Sequence, residues 1–314
     1  MKFTLCKLKP KGPLHLGERE GWLEGSNTFI HSDTLFSGFC HAFQLLYKDL
    51  ENHLKEFEIN NPPFLISSAF PYWRDTLYFP TPKNQLPKEK DAKKVNFVDK
   101  NGFERLLRGE KLEEIIKEVK TIPQKEKPFV PWELDNIPRV GLGRLDSHPG
   151  DRFFHFGQVS YREDAGLFFL IRFLNDEFRP KFEATVRLLA DEGIGGDRSS
   201  GKGLFEKPNF EVIEIDAPAE ANGIISLSLY YPKDEKELVG IKSAFYDLIE
   251  RKGYVFSPYG SSLRRRSIRM FTEGSVFPKE PEKMGKLVSV KPEAFKKHQV
   301  YRYGYIFTLP CKME

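Results

Sequence analysis

Five glycines fall within eleven residues, Gly193-Ile-Gly-Gly-Asp-Arg-Ser-Ser-Gly-Lys-Gly203, between a helix-like stripe and a strand-like run. Upstream, Phe182, Val186 and Leu189 recur at helical spacing, and Gly193 is placed to cap that helix because glycine takes a positive φ without steric cost. Downstream, 209–215 reads as a strand. The loop contains Gly196-x-x-x-x-Gly201-Lys202, close to a nucleotide P-loop. Gly203, however, stands where a Ser or Thr hydroxyl would hold magnesium, and a P-loop runs from strand to helix, not from helix to strand. Two readings remain. The segment is a turn with solvated charges, or it is a phosphate-contacting loop. In the second reading Gly193, Gly195, Gly196 and Gly201 let backbone N–H groups approach an anion, Arg198 and Lys202 supply charge, and Ser199 and Ser200 supply hydroxyl donors.

The rest of the chain falls into two similarly ordered halves. Residues 2–9 alternate as a strand. Ser32 or Asp33 can cap a following helix, whose stripe is Phe36, Phe39, Cys40, Phe43, Leu46, Tyr47 and Leu50. Residues 64–72 look extended. Residues 83–137 are Lys- and Pro-rich and read as an insertion, with a possible helix at 110–119. Residues 152–161 and 167–174 predict an antiparallel pair turning at 162–166. Residues 216–222 form the best linker in the chain. Beyond it come a strand at 224–231 and a helical stripe of Leu238, Ile241, Phe245, Leu248 and Ile249 closed by Gly253. Strand-like segments follow at 254–257, 267–277, 287–290 and 300–309. This order predicts an α+β fold of two tandem ferredoxin-like (RRM-like) domains, 1–216 and 217–314. Eight regular strand–helix repeats, as a TIM barrel needs, are absent.

At 314 residues the chain is long enough for two domains, and 28 Phe and 12 Tyr provide apolar bulk. The formal net charge is only +4, and residues 83–127 alone hold 13 basic against 9 acidic residues. Any nucleic-acid surface therefore comes from local placement of Arg and Lys. Three cysteines, Cys6, Cys40 and Cys311, make no CxxC pair or zinc spacing, which fits a reduced, cytoplasmic protein. The most apolar run, 166–174, is short and interrupted by Arg172, so no membrane partner is expected. No cofactor or metal is expected.

The glycine loop, placed after the second helix of a ferredoxin-like unit, resembles the RAMP superfamily of CRISPR proteins. Leu14-His-Leu-Gly17 with Ile30-His-Ser-Asp-Thr-Leu-Phe36 is similar to the N-terminal signature of its fourth Csm subunit family. Arg264-Arg-Arg-Ser-Ile-Arg-Met-Phe-Thr-Glu-Gly-Ser-Val-Phe277 resembles the C-terminal signature. The resemblance implies a non-catalytic subunit of a type III-A effector complex that grips the 5′ tag of the crRNA, with target RNA nearby. The implied protein partners are the large signalling subunit and the backbone RAMP subunits. It also implies a β-hairpin thumb, matched more loosely at about 138–161, where Arg139 and Arg144 lie. By this resemblance His15, Gly17, His31 and Ser32 join the RNA-contacting set.

Arg264, Arg265, Arg266 and Arg269 occur without an acid until Glu273. They are a solvated charge run or a phosphate site, and arginine's planar fork suits phosphate. On a strand, Arg265 and Arg269 would share a face. The alternative function is a guide-processing endoribonuclease with His15 or His31 as acid–base group. No second acid–base partner is fixed by spacing, and Asp33 is more simply an N-cap. The chain lacks the aromatic motif with which ordinary RNA-recognition domains stack bases. The lysines of the insertion could face RNA, a neighbouring subunit or water.

Overall fold

The computed structural model describes residues 1–17, 23–90, 92–123, 130–142, 153–257, 259, 263–279 and 284–313. The protein is mixed α/β with antiparallel sheets. Its first half runs β1 (Lys2–Leu8), α1 (Ser32–Tyr47), α2 (Leu50–Glu58), β2 (Phe64–Ile66), β3 (Phe70–Trp73), β4 (Thr76–Pro80), β5 (Val95–Asp99), α3 (Lys100–Leu107), α4 (Leu112–Ile115) and β6 (Thr121–Pro123). It continues through β7 (Trp132–Val140), β8 (Phe153–Tyr161), β9 (Ala165–Phe173), α5 (Arg179–Glu192) and β10 (Asn209–Glu214). One sheet has the order β10-β1-β9-β3-β4-β5-β6, with β2 also on β9. α1 and α5 pack together where Gly38 meets Leu189, and a Cβ added at Gly38 would lie 2.9 Å from Leu189 Cδ1. α5 ends as its sequence predicts, on Gly193 at φ +82°.

Two expectations for the first half change, and the stretch 83–137, expected as an insertion, contributes to the sheet. β5 and β6 extend it, and α3 buries Phe103, Leu106 and Leu107 against it. α3 starts where Asp99 accepts from Gly102 N at 2.8 Å, an N-cap that the Lys-rich composition hides. Helix in 110–119 is limited to the single turn of α4. β8 pairs with β7 and not with β9, because β9 has β1 on one edge and β2 and β3 on the other. The hairpin thus begins at Trp132, inside the expected insertion, and residues 143–152 of the expected thumb lie outside the described residues.

The second half runs β11 (Gly223–Ser226), β12 (Leu248–Arg251), β13 (Ile268–Phe271), β14 (Val276–Pro278), β15 (Leu287–Ser289), β16 (Tyr301–Tyr303) and β17 (Thr308–Cys311). The expected helix on the stripe from Leu238 to Ile249 is absent. Two short 3₁₀ turns, Glu235–Leu238 and Ile241–Ser243, flank Gly240 at φ +80°, and Leu248–Arg251 pairs with β13 instead. A left-handed residue in mid-stripe breaks a helix, and β13 offers the freed backbone groups partners. Among the described residues, this half has strands and 3₁₀ turns but no α-helix.

A continuous apolar core crosses from one half to the other. Tyr303 of β16 lies 4.8 Å from Phe36 of α1, ring centre to ring centre, and its hydroxyl accepts from Ile66 N at 3.1 Å. The Tyr305 hydroxyl donates to Phe57 O.

Candidate RNA interface

Residues 13–16 run between β8 and the glycine loop. Leu14 and Val159 exchange backbone hydrogen bonds at 2.8 Å, Gly196 N donates to His15 O at 2.9 Å, and Gly203 N donates to Pro13 O at 3.0 Å. This close approach explains two of the glycines. A Cβ on Gly195 would sit 2.4 Å from His15 O, and one on Gly203 would sit 2.1 Å from Ile194 O. Both residues also have positive φ. Many of the loop's N–H groups are engaged internally, including those of Gly193, Ile194, Gly196, Ser200, Gly201 and Gly203. The exposed crest is formed by Gly195, Ser199, Ser200 and Gly201.

Phe156 of β8 is the centre of this patch. His15 stacks obliquely 4.2 Å from its ring, with Arg139 Cζ and Lys202 Nζ at 4.4 and 4.6 Å from its centre. Arg139 Nη2 donates to Asp197 Oδ2 at 2.7 Å, tying the hairpin to the glycine loop. That hydrogen bond holds the Asp197 carboxyl below the usual carboxylate range. Lys202 is buried and bonded to Gln158, and burial, then the nearby Arg139, lowers its ammonium. It does not point along a nucleotide cradle, which removes the P-loop reading. His15 is equally committed. Its Nδ1 donates to Gly157 O at 2.7 Å, and burial lowers its pKa. Gly17 is exposed beside it, and Arg144 lies outside the described residues.

His31 and Ser32 differ from expectation, since both are buried and internally bonded. His31 Nδ1 lies 2.8 Å from Glu273 Oε1, and the Ser32 hydroxyl accepts from Leu229 N at 3.0 Å. His31 occupies the N-cap position of α1 without a side-chain cap bond. Asp33 does not cap the helix. It takes Arg251 through two hydrogen bonds, at 2.8 and 3.0 Å, and also pairs with Arg302. Burial pushes the Asp33 carboxyl up, but the two guanidiniums outweigh it and hold the group well below the carboxylate range.

The arginine run divides. Regular strand begins only at Ile268, so the alternation that would put Arg265 and Arg269 on one face does not extend back through the run. Arg265 turns inward toward Arg302 and Asp33. Burial, then the charge of Arg302, lowers its pKa to about 10, and its Nε is buried without a partner. Arg269 is exposed and stands opposite Glu250 in the β12–β13 ladder. Arg264 and Arg266 are exposed, Arg264 over Tyr254 and Arg266 3.4 Å from Glu293.

The two patches adjoin. Arg198 of the glycine loop lies over Phe256, 4.9 Å from the ring centre, and Tyr254 leads from there to Arg264. Sequence reasoning missed Phe156, Gln158, Arg251 and Arg302. The last three leave one sequence signal, a polar or charged residue within a strand, and Phe156 leaves none. Among the described residues no group of three or more His, Cys, Asp or Glu is arranged to hold a metal ion, and no helix is long and apolar enough to cross a membrane.

The family model of the RAMP superfamily matches residues 7–206, and that of the CRISPR Csm4 C-terminal domain matches residues 219–311. The CRISPR system Cms protein Csm4 of Thermococcus onnurineus (strain NA1) is 28% identical over 331 residues, covering 99% of this chain and 98% of its own. The fold is similar to that in a crystal structure of a Csm3–Csm4 subcomplex from the type III-A CRISPR-Cas interference complex, with a TM-score of 0.66, 21% identity and 99% of each chain covered. It is also similar to the Csm1–Csm4 cassette in complex with cA4, with a TM-score of 0.63, 23% identity, and 100% of this chain and 99% of the other covered.

Proposed function

Because this chain belongs to the RAMP superfamily and carries a Csm4 C-terminal domain, we propose that it is a structural subunit of a type III-A CRISPR effector complex that holds the 5′ tag of the crRNA. The observation that carries this reading is the end-to-end match of the two family models, 7–206 and 219–311, together with a Csm4 relative aligned over 98% of its own length. The chain bridges a large Csm1-type subunit and Csm3-type backbone subunits, the two kinds of partner with which similar folds have been crystallised. We take 1–216 and 217–314 as its two domains. The first is ferredoxin-like. The second is a ferredoxin-like relic in which 3₁₀ turns stand in for the helix.

RNA runs over the glycine-loop crest, past Arg139 and Arg198, toward Arg264 and Arg269, with target RNA near the β7–β8 hairpin. The exposed hydroxyl of Ser199, the half-buried guanidiniums of Arg139 and Arg198 and the exposed ones of Arg264 and Arg269 serve phosphates, which position RNA without reading its sequence, while Ser200 on the same crest donates to Asp197 Oδ1 at 2.8 Å and braces the loop. Gly193, Lys202, His15 and Arg265 support these surfaces from behind. The subunit has no catalytic role of its own: His15 and His31 each spend a ring nitrogen on an internal bond and stand on separate, buried sites. Its place is the cytoplasm.

The test is purification of the chain with the products of its neighbouring genes. RNA carrying one fixed 5′ sequence should co-elute, and loss of the chain should release both that RNA end and the large subunit. Specific cleavage of repeat RNA by the isolated chain, abolished by His15→Ala, would favour the endoribonuclease instead.

A further inference from the structure

We infer that Tyr254 and Phe256 form a stacking surface for unpaired RNA bases between the glycine loop and Arg264, an inference that rests on the RNA-binding role proposed above. The segment alternates sharply. Tyr254 is 46% exposed, Val255 1% and Phe256 60%. Val255 anchors the segment in a small apolar cluster with Val290, Phe295 and Val300. The backbone is held as well, because Val255 N donates to Leu263 O and Arg265 N to Gly253 O, both at 2.8 Å. Two large rings are thus presented on the same side of a fixed extended segment, about 6.6 Å apart along the chain.

Each ring has a guanidinium beside it. Arg198 Cζ lies 4.9 Å from the centre of Phe256, and Arg264 Cζ lies 5.8 Å from that of Tyr254. His41 meets the Phe256 ring edge-on at 5.2 Å. His41 in turn lies 3.8 Å from Glu192. Single exposed apolar residues are ordinary, but two aligned aromatics interleaved with cations are not explained by the core they leave uncovered. Aromatics and arginines are also enriched in protein interfaces, and failed assembly in the test below is the outcome that would assign the rings to one. Rings for base faces and guanidiniums for phosphates are the combination that binds single-stranded nucleic acid with little sequence preference.

The experiment uses the full chain and single-stranded tag RNA carrying 2-aminopurine at successive positions. Wild type, Phe256→Ala, Tyr254→Ala and Phe256→Trp are titrated over a salt series. The alanine variants should weaken binding roughly 5- to 150-fold, the range of stacking on one ring. The slope of log affinity against log salt should stay unchanged, because no phosphate contact is lost. Phe256→Trp should retain affinity, 2-aminopurine at one position should lose its quenching in Phe256→Ala, and an abasic site there should erase the difference between Phe256→Ala and wild type. If wild type binds RNA and the alanine variants bind equally well, stacking is overturned and the RNA-binding role stands. A reduced salt slope also overturns stacking. Intact RNA affinity with failed assembly onto the neighbouring subunits assigns the rings to a protein contact and overturns it too. If wild type binds no RNA, the proposed function falls and this inference falls with it.

Discussion

Arg251 Nη2 donates to Asp33 Oδ1 at 2.8 Å, joining β12 in the second half of the chain to the first turn of α1. Arg302 approaches the same carboxylate from β16, and neither Asp33 nor the two guanidiniums is exposed. Asp33→Ala leaves two buried cations without their counter-charge. Its expected cost is about 3–5 kcal/mol, the range for removing one partner of a buried pair. Asp33→Asn, which keeps an acceptor but no charge, should fall between wild type and the alanine variant. Urea midpoints at constant m-value measure both. The folded pKa of Asp33 is depressed, so its contribution is present above the unfolded value, about 3.9, and is lost as pH falls below it.

A second acid sensitivity lies at higher pH. His53 stacks on Phe178 with ring centres 4.7 Å apart, and its Nε2 is buried without a partner. Burial lowers its pKa to about 4, so the folded state holds it neutral. The unfolded chain takes up the proton first, near pH 6.5, and the stability tied to the neutral ring is therefore lost as pH falls from about 6.5 toward 4. His53→Phe should reduce the difference between denaturation midpoints measured at pH 7 and pH 5. An unchanged difference would place the sensitivity elsewhere.

Gly201 and Gly203 both have positive φ but differ in surroundings. At Gly201 an added Cβ meets nothing within 4 Å, whereas at Gly203 it would meet Ile194 O at 2.1 Å. Gly201→Ala should cost only the left-handed strain, about 1–2 kcal/mol. Gly203→Ala should cost more, because backbone must also move. Thermal denaturation of the two variants separates conformational strain from crowding. Gly196 belongs with the crowded class: its Cβ would lie 2.8 Å from His15 Cδ2, so Gly196→Val should displace His15 as well as open the loop.

Arg265 and Arg269 should respond differently to mutation. Arg269→Ala removes an exposed cation and should lower the slope of log affinity for tag RNA against log salt by roughly 0.7, one single-strand phosphate contact. Arg265→Ala removes an inward-facing cation already repelled by Arg302, and should change that slope little. Its effect should appear in unfolding measurements. Equal slope changes for the two variants would mean that Arg265 turns outward when RNA binds.

What the sequence determined by itself is local. The strand of β1, the helices α1 and α5, the glycine that ends α5 and the loop beyond it all follow from local pattern and from the steric freedom of glycine, which neighbouring residues set; the fold then buries β1 on both faces from Phe3 to Cys6, exposes Leu46 and starts α2 at Leu50. The family signatures at 14–36, 193–203 and 264–277 were legible for the same reason. Tertiary structure decided the rest. The stripe from Leu238 to Ile249 satisfies a helical period, yet Gly240 and the open edge of β13 make part of it a strand. The 152–161 segment looked like a partner for β9 until both edges of β9 were taken. Asp33 resembled a cap and His31 an RNA ligand because their partners, Arg251 and Glu273, stand 218 and 242 residues away. Spacing along the chain carries no information about charges brought together by a core that closes only when the two halves meet, and so the roles of these buried groups belong to the fold.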